Sequence, residues 1–216
     1  MSSALPILYS FVRCPYAIRA RMALQFAGQP VRLREVHLKA KPAHMLEISP
    51  KATVPVLLLD NGHVLEQSRD IMLWALQRND PMALLGVDQT ESEALLDEND
   101  QRFKGHLDRY KYPDRYRDDP PDNVGIHARV KAEAFLQVLE HRLQQHAFVM
   151  AETLTLTDIG LFPFVRQFAN VDPAWFDTAP YPALRRWLNA CVGLAQFDAC
   201  MQKYPAWHEG AADTIL

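Results

Sequence analysis

Cys14 is followed directly by Pro15, where a short apolar strand pattern over residues 7–11 gives way to a helical pattern over 15–27. Proline is favoured at the first helical position, because its missing N–H would have no partner inside the helix. That makes Cys14 the expected N-cap, with its sulfur beside unpaired backbone N–H groups and the positive end of the helix dipole. Such surroundings favour thiolate over thiol. An ordinary cysteine, with a pKa of about 8.5, is only a few per cent ionised at pH 7. Lowering it by about two units, roughly 2.7 kcal/mol, makes the thiolate the majority form. Arg13, Arg19 and Arg21 lie close in sequence and would add positive charge. Taken alone, Cys-Pro fits equally well a buried cysteine packing as a small hydrophobe. Ala17 stands where a Cys-x-x-Cys pair would place its second thiol, so an external thiol must complete any redox cycle.

The elements that must position this cysteine alternate quickly. Gly28 stops the first helix, and residues 31–36 alternate apolar with polar as a second strand. A short helix follows near 42–48. Two strands, 56–59 and 63–65, then flank Asp60-Asn61-Gly62, a hairpin turn signal. Ser68 opens another helix, carrying Ile71, Met72, Ala75 and Leu76. The order β-α-β-α-β-β-α predicts a small mixed sheet with a parallel first pair and an antiparallel last pair. Residues 79–87, with Asp80-Pro81 and Gly86, read as a linker. Beyond it the spacing is helical, over about 90–112, 123–146, 156–169 and 182–194, with a short last helix near 197–201. Breaks fall at Asp118-Asp119-Pro120-Pro121 and Thr178-Ala179-Pro180. The predicted domains are therefore an α/β unit over 1–78, the linker over 79–87 and an all-α unit over 88–216.

The chain has 216 residues, with 23 basic and 26 acidic side chains and a formal charge of −3. A nucleic-acid or membrane-surface protein would show a strong basic excess, so neither partner is expected. The apolar runs are too short to span a bilayer. No export signal is expected at the N-terminus. Three cysteines, an odd number without framework spacing, fit a reducing cytoplasmic compartment. Cys191 and Cys200 lie among Leu188, Val192, Leu194 and Phe197 and are expected to pack in a core. The eight histidines show no ligand spacing, so no metal is expected.

Three separated motifs, in order, carry a resemblance: Cys14-Pro15-Tyr16-Ala17 with Arg19 and Arg21, then Thr53-Val54-Pro55-Val56, then Gln67-Ser68 opening a helix. Together with the helical half, they resemble the cytosolic glutathione transferases, most of all the cysteine-type omega-like and bacterial members. The resemblance implies a thioredoxin-like N-terminal domain packed on an all-helical C-terminal domain, a homodimer, and glutathione as co-substrate. It places Cys14 at the cysteine that forms a mixed disulfide with glutathione, and Lys41 at the lysine that meets the glycine carboxylate. Val54 precedes the family's cis-proline, Pro55, and its backbone would pair with the cysteinyl part of the tripeptide. Gln67 and Ser68 would hold the γ-glutamyl end. On physical grounds, an extended tripeptide can bond to an exposed backbone edge, and Ser68 as an N-cap would present donors to a carboxylate. Ser68 can equally be a plain helix cap, and Lys41 a solvated surface lysine. Ala52 and Thr53 depart from the family's glycine and lysine or glutamine, and Gln67 from the acidic residue of omega-type proteins. Ser10 lies near the catalytic hydroxyl of other classes and is the second candidate catalytic group.

In the helical half, Thr155 and Asp158 form a predicted capping box before an apolar helix, with Leu154 and Ile159 as its staple; Asp158 is expected to be structural. Residues 102–117 mix basic and aromatic side chains, but interleaved acids cancel the charge. The resemblance implies that this region lines an acceptor pocket, with Arg109, Tyr110 and Tyr112 beside Phe11 and Tyr16 of the first domain as contacts. Asn99 or Asp100 would reach a partner's glutathione across a dimer. The expected reaction is thiol transfer at Cys14 with a small apolar or disulfide co-substrate. Conjugation of glutathione to an electrophile, with Ser10 or backbone donors holding the thiolate, is the alternative within enzymes. A glutathione-transferase-like adaptor without chemistry is the alternative outside them.

Overall fold

The computed structural model describes residues 4–116 and 123–216. The first strand, Ile7–Ser10 (β1), is buried along its whole length. Helix Pro15–Phe26 (α1) follows and is buried on nearly all sides, which its small and apolar residues permit, and Arg19 and Arg21 are buried with them. It ends as the sequence predicts. Gly28 adopts φ +59°, its N–H reaches the Gln25 carbonyl at 3.0 Å, and the Gln29 N–H reaches that of Leu24 at 2.9 Å. This is a Schellman stop, which needs the left-handed conformation that glycine takes without a Cβ penalty.

Strand Arg32–Glu35 (β2) pairs parallel with β1, Ile7 against Arg32 and Ser10 against Glu35. Helix Ala43–Ile48 (α2) leads to the hairpin of Val56–Leu58 (β3) and Val64–Leu65 (β4). β3 runs antiparallel to β1, with Tyr9 opposite Val56. The Asp60-Asn61-Gly62 turn closes the hairpin, with Gly62 at φ +83°. Helix Ser68–Arg78 (α3) then packs along α1. Ile7, Tyr9, Val36, Met45 and Val56 form one core cluster of this unit. Leu8, Leu33 and Leu57 are register partners on the opposite face of the pleat, as the two-residue period requires.

The sheet has a fifth strand that the sequence pattern does not announce. Thr214–Ile215 (β5) pairs antiparallel with β2, giving the order β4-β3-β1-β2-β5. Accordingly Leu194–Leu216 groups with Met1–Ala83 as one compact unit, and Leu84–Gly193 forms the other. This differs from the expected helical domain over 88–216. Helical periodicity identifies the last helix, here Ala195–Cys200, but does not say which unit it joins. It packs on α1. The tail beyond it is tied to β2. Asp213 takes bonds from Arg32 and Arg34, each at 3.3 Å, and the Trp207 N–H reaches the Glu35 carbonyl at 2.8 Å. The Arg34 guanidinium lies 4.0 Å from the Trp207 ring centre.

The second unit opens with helix Gln89–Glu98 (α4), capped by the Asp88 carboxylate on the Glu91 N–H. It runs without a break through a π-helical turn, Asn99–Phe103, into Lys104–Lys111 (α5). Val124–Gln145 (α6), Leu156–Ala169 (α7) and Pro182–Val192 (α9) match the predicted helices closely, and a short helix, Pro173–Thr178 (α8), was not predicted. The predicted break at Asp118–Pro121 lies outside the described residues. Phe103, Phe135, Phe168 and Tyr110 stack as an aromatic core. Two buried acids organise the helix ends. Glu140 on α6 accepts from the Ala183 and Leu184 N–H groups, doing for α9 what its N-cap Tyr181 side chain does not.

Asp158 completes the predicted capping box and does more. Its carboxylate accepts from the Thr155 N–H at 2.9 Å, Thr155 Oγ1 at 2.6 Å, the Val149 N–H at 2.9 Å and Trp187 Nε1 at 2.8 Å. Burial pushes its pKa up against the pull of these donors. Removing the carboxylate strands several buried donors at once, each of which costs about 1–3 kcal/mol. Asp158→Ala is therefore expected to destabilise the protein by about 3 kcal/mol or more, read as a lowered urea midpoint. An unchanged midpoint would contradict the structural role.

Candidate functional site

Between β1 and α1 the chain makes a tight turn. The Cys14 N–H bonds to the Phe11 carbonyl at 3.0 Å, and the Ile18 N–H bonds back to Cys14 O at 2.9 Å. Cys14 is the N-cap of α1 in extended conformation, φ −78° and ψ 121°, with Pro15 at the first helical position. Its side chain is half-buried. The sulfur thus stands at the positive end of a 12-residue helix, as the sequence predicts. The turn is pinned from the side by Glu35, whose Oε1 accepts from the Val12 N–H at 2.7 Å.

Facing the sulfur is the loop before β3. Val54 O lies 3.7 Å from Cys14 Sγ, and the Val54–Pro55 bond is cis. Val54 is half-buried and Pro55 buried, so the backbone edge predicted to meet the tripeptide stands beside the thiol. Ala52, two residues earlier, has φ +54°. That is the left-handed region, where a Cβ is unfavourable, and it is the place where the resemblance expects glycine.

The γ-glutamyl candidates sit at the start of α3. The N-cap is Gln67, exposed and without a side-chain capping bond, and Ser68 is the first helical residue rather than the expected N-cap. The difference has a physical cause. Ser68 Oγ is engaged by Arg19 Nε at 2.9 Å, so the hydroxyl faces α1 and does not fold back on its own helix. Arg19 and Arg21, expected to add charge near the thiol, are both buried and committed elsewhere. Arg19 reaches Ser68 and lies 5.0 Å from the Tyr16 ring centre, and Arg21 faces Glu35 at 3.9 Å. Arg13 is exposed, 5.4 Å from the Phe11 ring centre. Lys41 is half-buried just before α2.

Two expectations need correction. Ser10 is 0 % exposed, and its Oγ has no hydrogen-bond partner among the described residues. It lies inside β1 opposite Glu35, so it presents no hydroxyl to a ligand. Tyr110 is a core residue of the second unit, 7 % exposed with its ring 5.0 Å from that of Phe168. Burial raises its phenol pKa. Arg109 lies over the Tyr116 ring, and half-buried Tyr112 is flanked by Lys111 and Arg115. Asn99 is buried in the π-helical turn and donates to Asp100 at 2.8 Å.

Glu35 and the Arg19–Ser68 bond were missed in the sequence. The available signal was charge inside apolar pattern: Arg19 and Arg21 interrupt a helix otherwise built for burial, and such cations need partners. Among the described residues no group of three or more His, Cys, Asp or Glu could hold a metal ion, and no helix is long and apolar enough to cross a membrane.

Comparison with known proteins matches the same two halves. Residues 8–83 match the glutathione S-transferase N-terminal domain family, and residues 93–190 the glutathione S-transferase C-terminal domain family. A probable glutathione transferase of Aplysia californica is 43% identical over 53 residues, which is 24% of this chain and 58% of that protein. Glutathione S-transferase D7 of Anopheles gambiae is 26% identical, covering 97% of this chain and 94% of its own. Among solved structures, a glutathione transferase family member from Pseudomonas fluorescens pf-5, with two glutathione bound, superposes with a TM-score of 0.78. It is 18% identical and the match covers 91% of this chain and 92% of that one.

Two outcomes follow from this geometry. Cys191 and Cys200 are both 0 % exposed, and burial pushes the Cys200 thiol up to about 12 and that of Cys191 well above its ordinary value. Peptide mapping after brief iodoacetamide treatment at neutral pH is expected to find label on Cys14, with the other two labelled only after denaturation. Comparable labelling of Cys200 in the native protein would contradict this. Ala52→Gly should raise stability by about 0.5–1 kcal/mol in urea titration, and a loss of stability would show that the left-handed position is not strained.

Proposed function

The chain belongs to the glutathione S-transferase superfamily, and on that premise we propose that it is a glutathione-dependent thiol transferase acting through a mixed disulfide at Cys14. One observation carries this reading: a half-buried cysteine at the N-cap of α1 with its sulfur 3.7 Å from the backbone of Val54. The helix dipole favours the thiolate, the species that attacks. The Cys14 thiolate attacks the glutathionyl sulfur of a substrate disulfide. The bond between the two substrate sulfurs breaks, and the leaving thiolate takes a proton from solvent. A second glutathione thiolate then attacks the glutathionyl sulfur held on Cys14, releasing oxidised glutathione and the free enzyme thiolate. With Ala17 in place of a resolving cysteine, the second thiol must come from outside.

In this reading Val54 and Pro55 offer the backbone edge to the cysteinyl part of the tripeptide. Gln67 and Ser68 meet its γ-glutamyl end, and Lys41 its glycine carboxylate. Phe11 and Tyr16 flank the thiol in sequence and would contact the co-substrate. The protein works in the cytoplasm as a homodimer. Conjugation with Ser10 holding the glutathione thiolate is the weaker reading, because Ser10 is sealed from solvent. An adaptor without chemistry has less to explain the joint presence of Cys14, Pro55 and Gln67-Ser68.

Incubation with oxidised glutathione is expected to add one glutathionyl group to Cys14, visible by intact-mass spectrometry and reversed by dithiothreitol. Cys14→Ser should neither take up the group nor reduce a glutathionylated substrate. A Cys14→Ser protein with full disulfide-reductase activity would remove the thiol mechanism.

A further inference from the structure

Arg19 lies five residues beyond Cys14 on α1 and is 1 % exposed. Its Nε donates to Ser68 Oγ at 2.9 Å in buried surroundings, and its guanidinium lies 5.0 Å from the Tyr16 ring centre. A guanidinium has donors and no acceptor, so the direction of this bond is fixed and Ser68 Oγ must accept. A hydroxyl that accepts from one neighbour keeps its own O–H to give to another. Left without Arg19, the same serine at the opening of a helix could instead turn its oxygen toward the backbone N–H groups of its own first turn.

We propose that Arg19 is a positioning residue that commits the Ser68 O–H to donate to the γ-glutamyl carboxylate of glutathione. The proposal rests on the glutathione reading above and deepens it. Accepting from a cation also polarises the hydroxyl, which makes it a stronger donor to an anion. Because Arg19 and Cys14 share α1, one rigid element sets both the attacking sulfur and the group that orients the far end of the tripeptide. Burial holds the guanidinium in place, so the orientation exists before the ligand arrives.

A merely structural Arg19 would tie α1 to α3 without touching glutathione affinity, and kinetics separates the two. With glutathione as the varied substrate, Ser68→Ala and Arg19→Met are each expected to raise KM about tenfold while kcat changes less than about twofold. The double variant should be no worse than either single one, since both break the same contact. Arg19→Gln, whose amide N–H can still donate to Ser68, should recover most of the affinity. Additive effects, about a hundredfold in KM for the double variant, would overturn the proposal, as would an unchanged KM in Arg19→Met. Should Arg19→Met fail to fold, the native protein supplies the test. The Arg19 Nε–H resonance is expected to shift on saturation with S-methylglutathione, and a resonance that does not move overturns the proposal. Failure of Cys14 to take up glutathione would instead sink the thiol reading. An unchanged KM in Ser68→Ala, with Cys14 still modified, would sink the positioning role alone.

Discussion

Glu35 has almost no access to water, and the architecture around the thiol hangs on what its few atoms do. One carboxylate oxygen holds the Val12 N–H in the turn before Cys14, and the other faces Arg21 on α1 across 3.9 Å. Its backbone carbonyl receives the Trp207 N–H from the tail, and its place in β2 is opposite Ser10 in β1. Burial raises its pKa, while the Val12 N–H and Arg21 pull it back. A buried carboxylate is tolerated only where donors and a cation surround it. Here those partners come from the turn at Val12 and from Arg21 on α1, and the backbone carbonyl of the same residue adds the tail, so Glu35 selects the one arrangement in which turn, helix and tail meet.

The second unit uses the same device with different parts. Asp158 gathers donors from its own cap, from the loop at Val149 and from Trp187 on α9, and Glu140 caps α9 from α6. In both units an acid inside the core fixes the relation between helix ends that hydrophobic packing alone would leave loosely defined. Burial supplies most of the driving force but little direction, and hydrogen bonds to charged groups supply the direction.

What could be read from the sequence divides along the same line. The Schellman stop at Gly28, the hairpin at Asn61-Gly62 and the Thr155–Asp158 capping box were legible because each is built from residues close together in the chain. The thiol at the N-cap and the loop of Val54 and Pro55 were legible through local motifs. Ser10 and Tyr110 misled for a related reason. Strand alternation does not say that both faces of β1 are sealed, and an aromatic in a basic stretch looks exposed until Phe168, far along the chain, is found against it. Arg19 with Ser68, Glu35 with Val12 and the return of β5 to β2 pair residues distant in sequence. No local pattern encodes them, and a two-residue strand carries no periodicity to detect.

That returning strand has a bearing on biosynthesis. The sheet of the first unit is discontinuous in the chain, since the whole segment Leu84–Gly193 is made between β2 and the strand that covers its edge. During translation β2 therefore emerges with an open hydrogen-bonding flank, and Arg32 and Arg34 lack their acidic counterpart until Asp213 leaves the ribosome. An uncovered flank of this kind is a template for pairing with another nascent chain. The charges on Arg32 and Arg34 guard it meanwhile, because two such β2 edges brought together would set cation against cation.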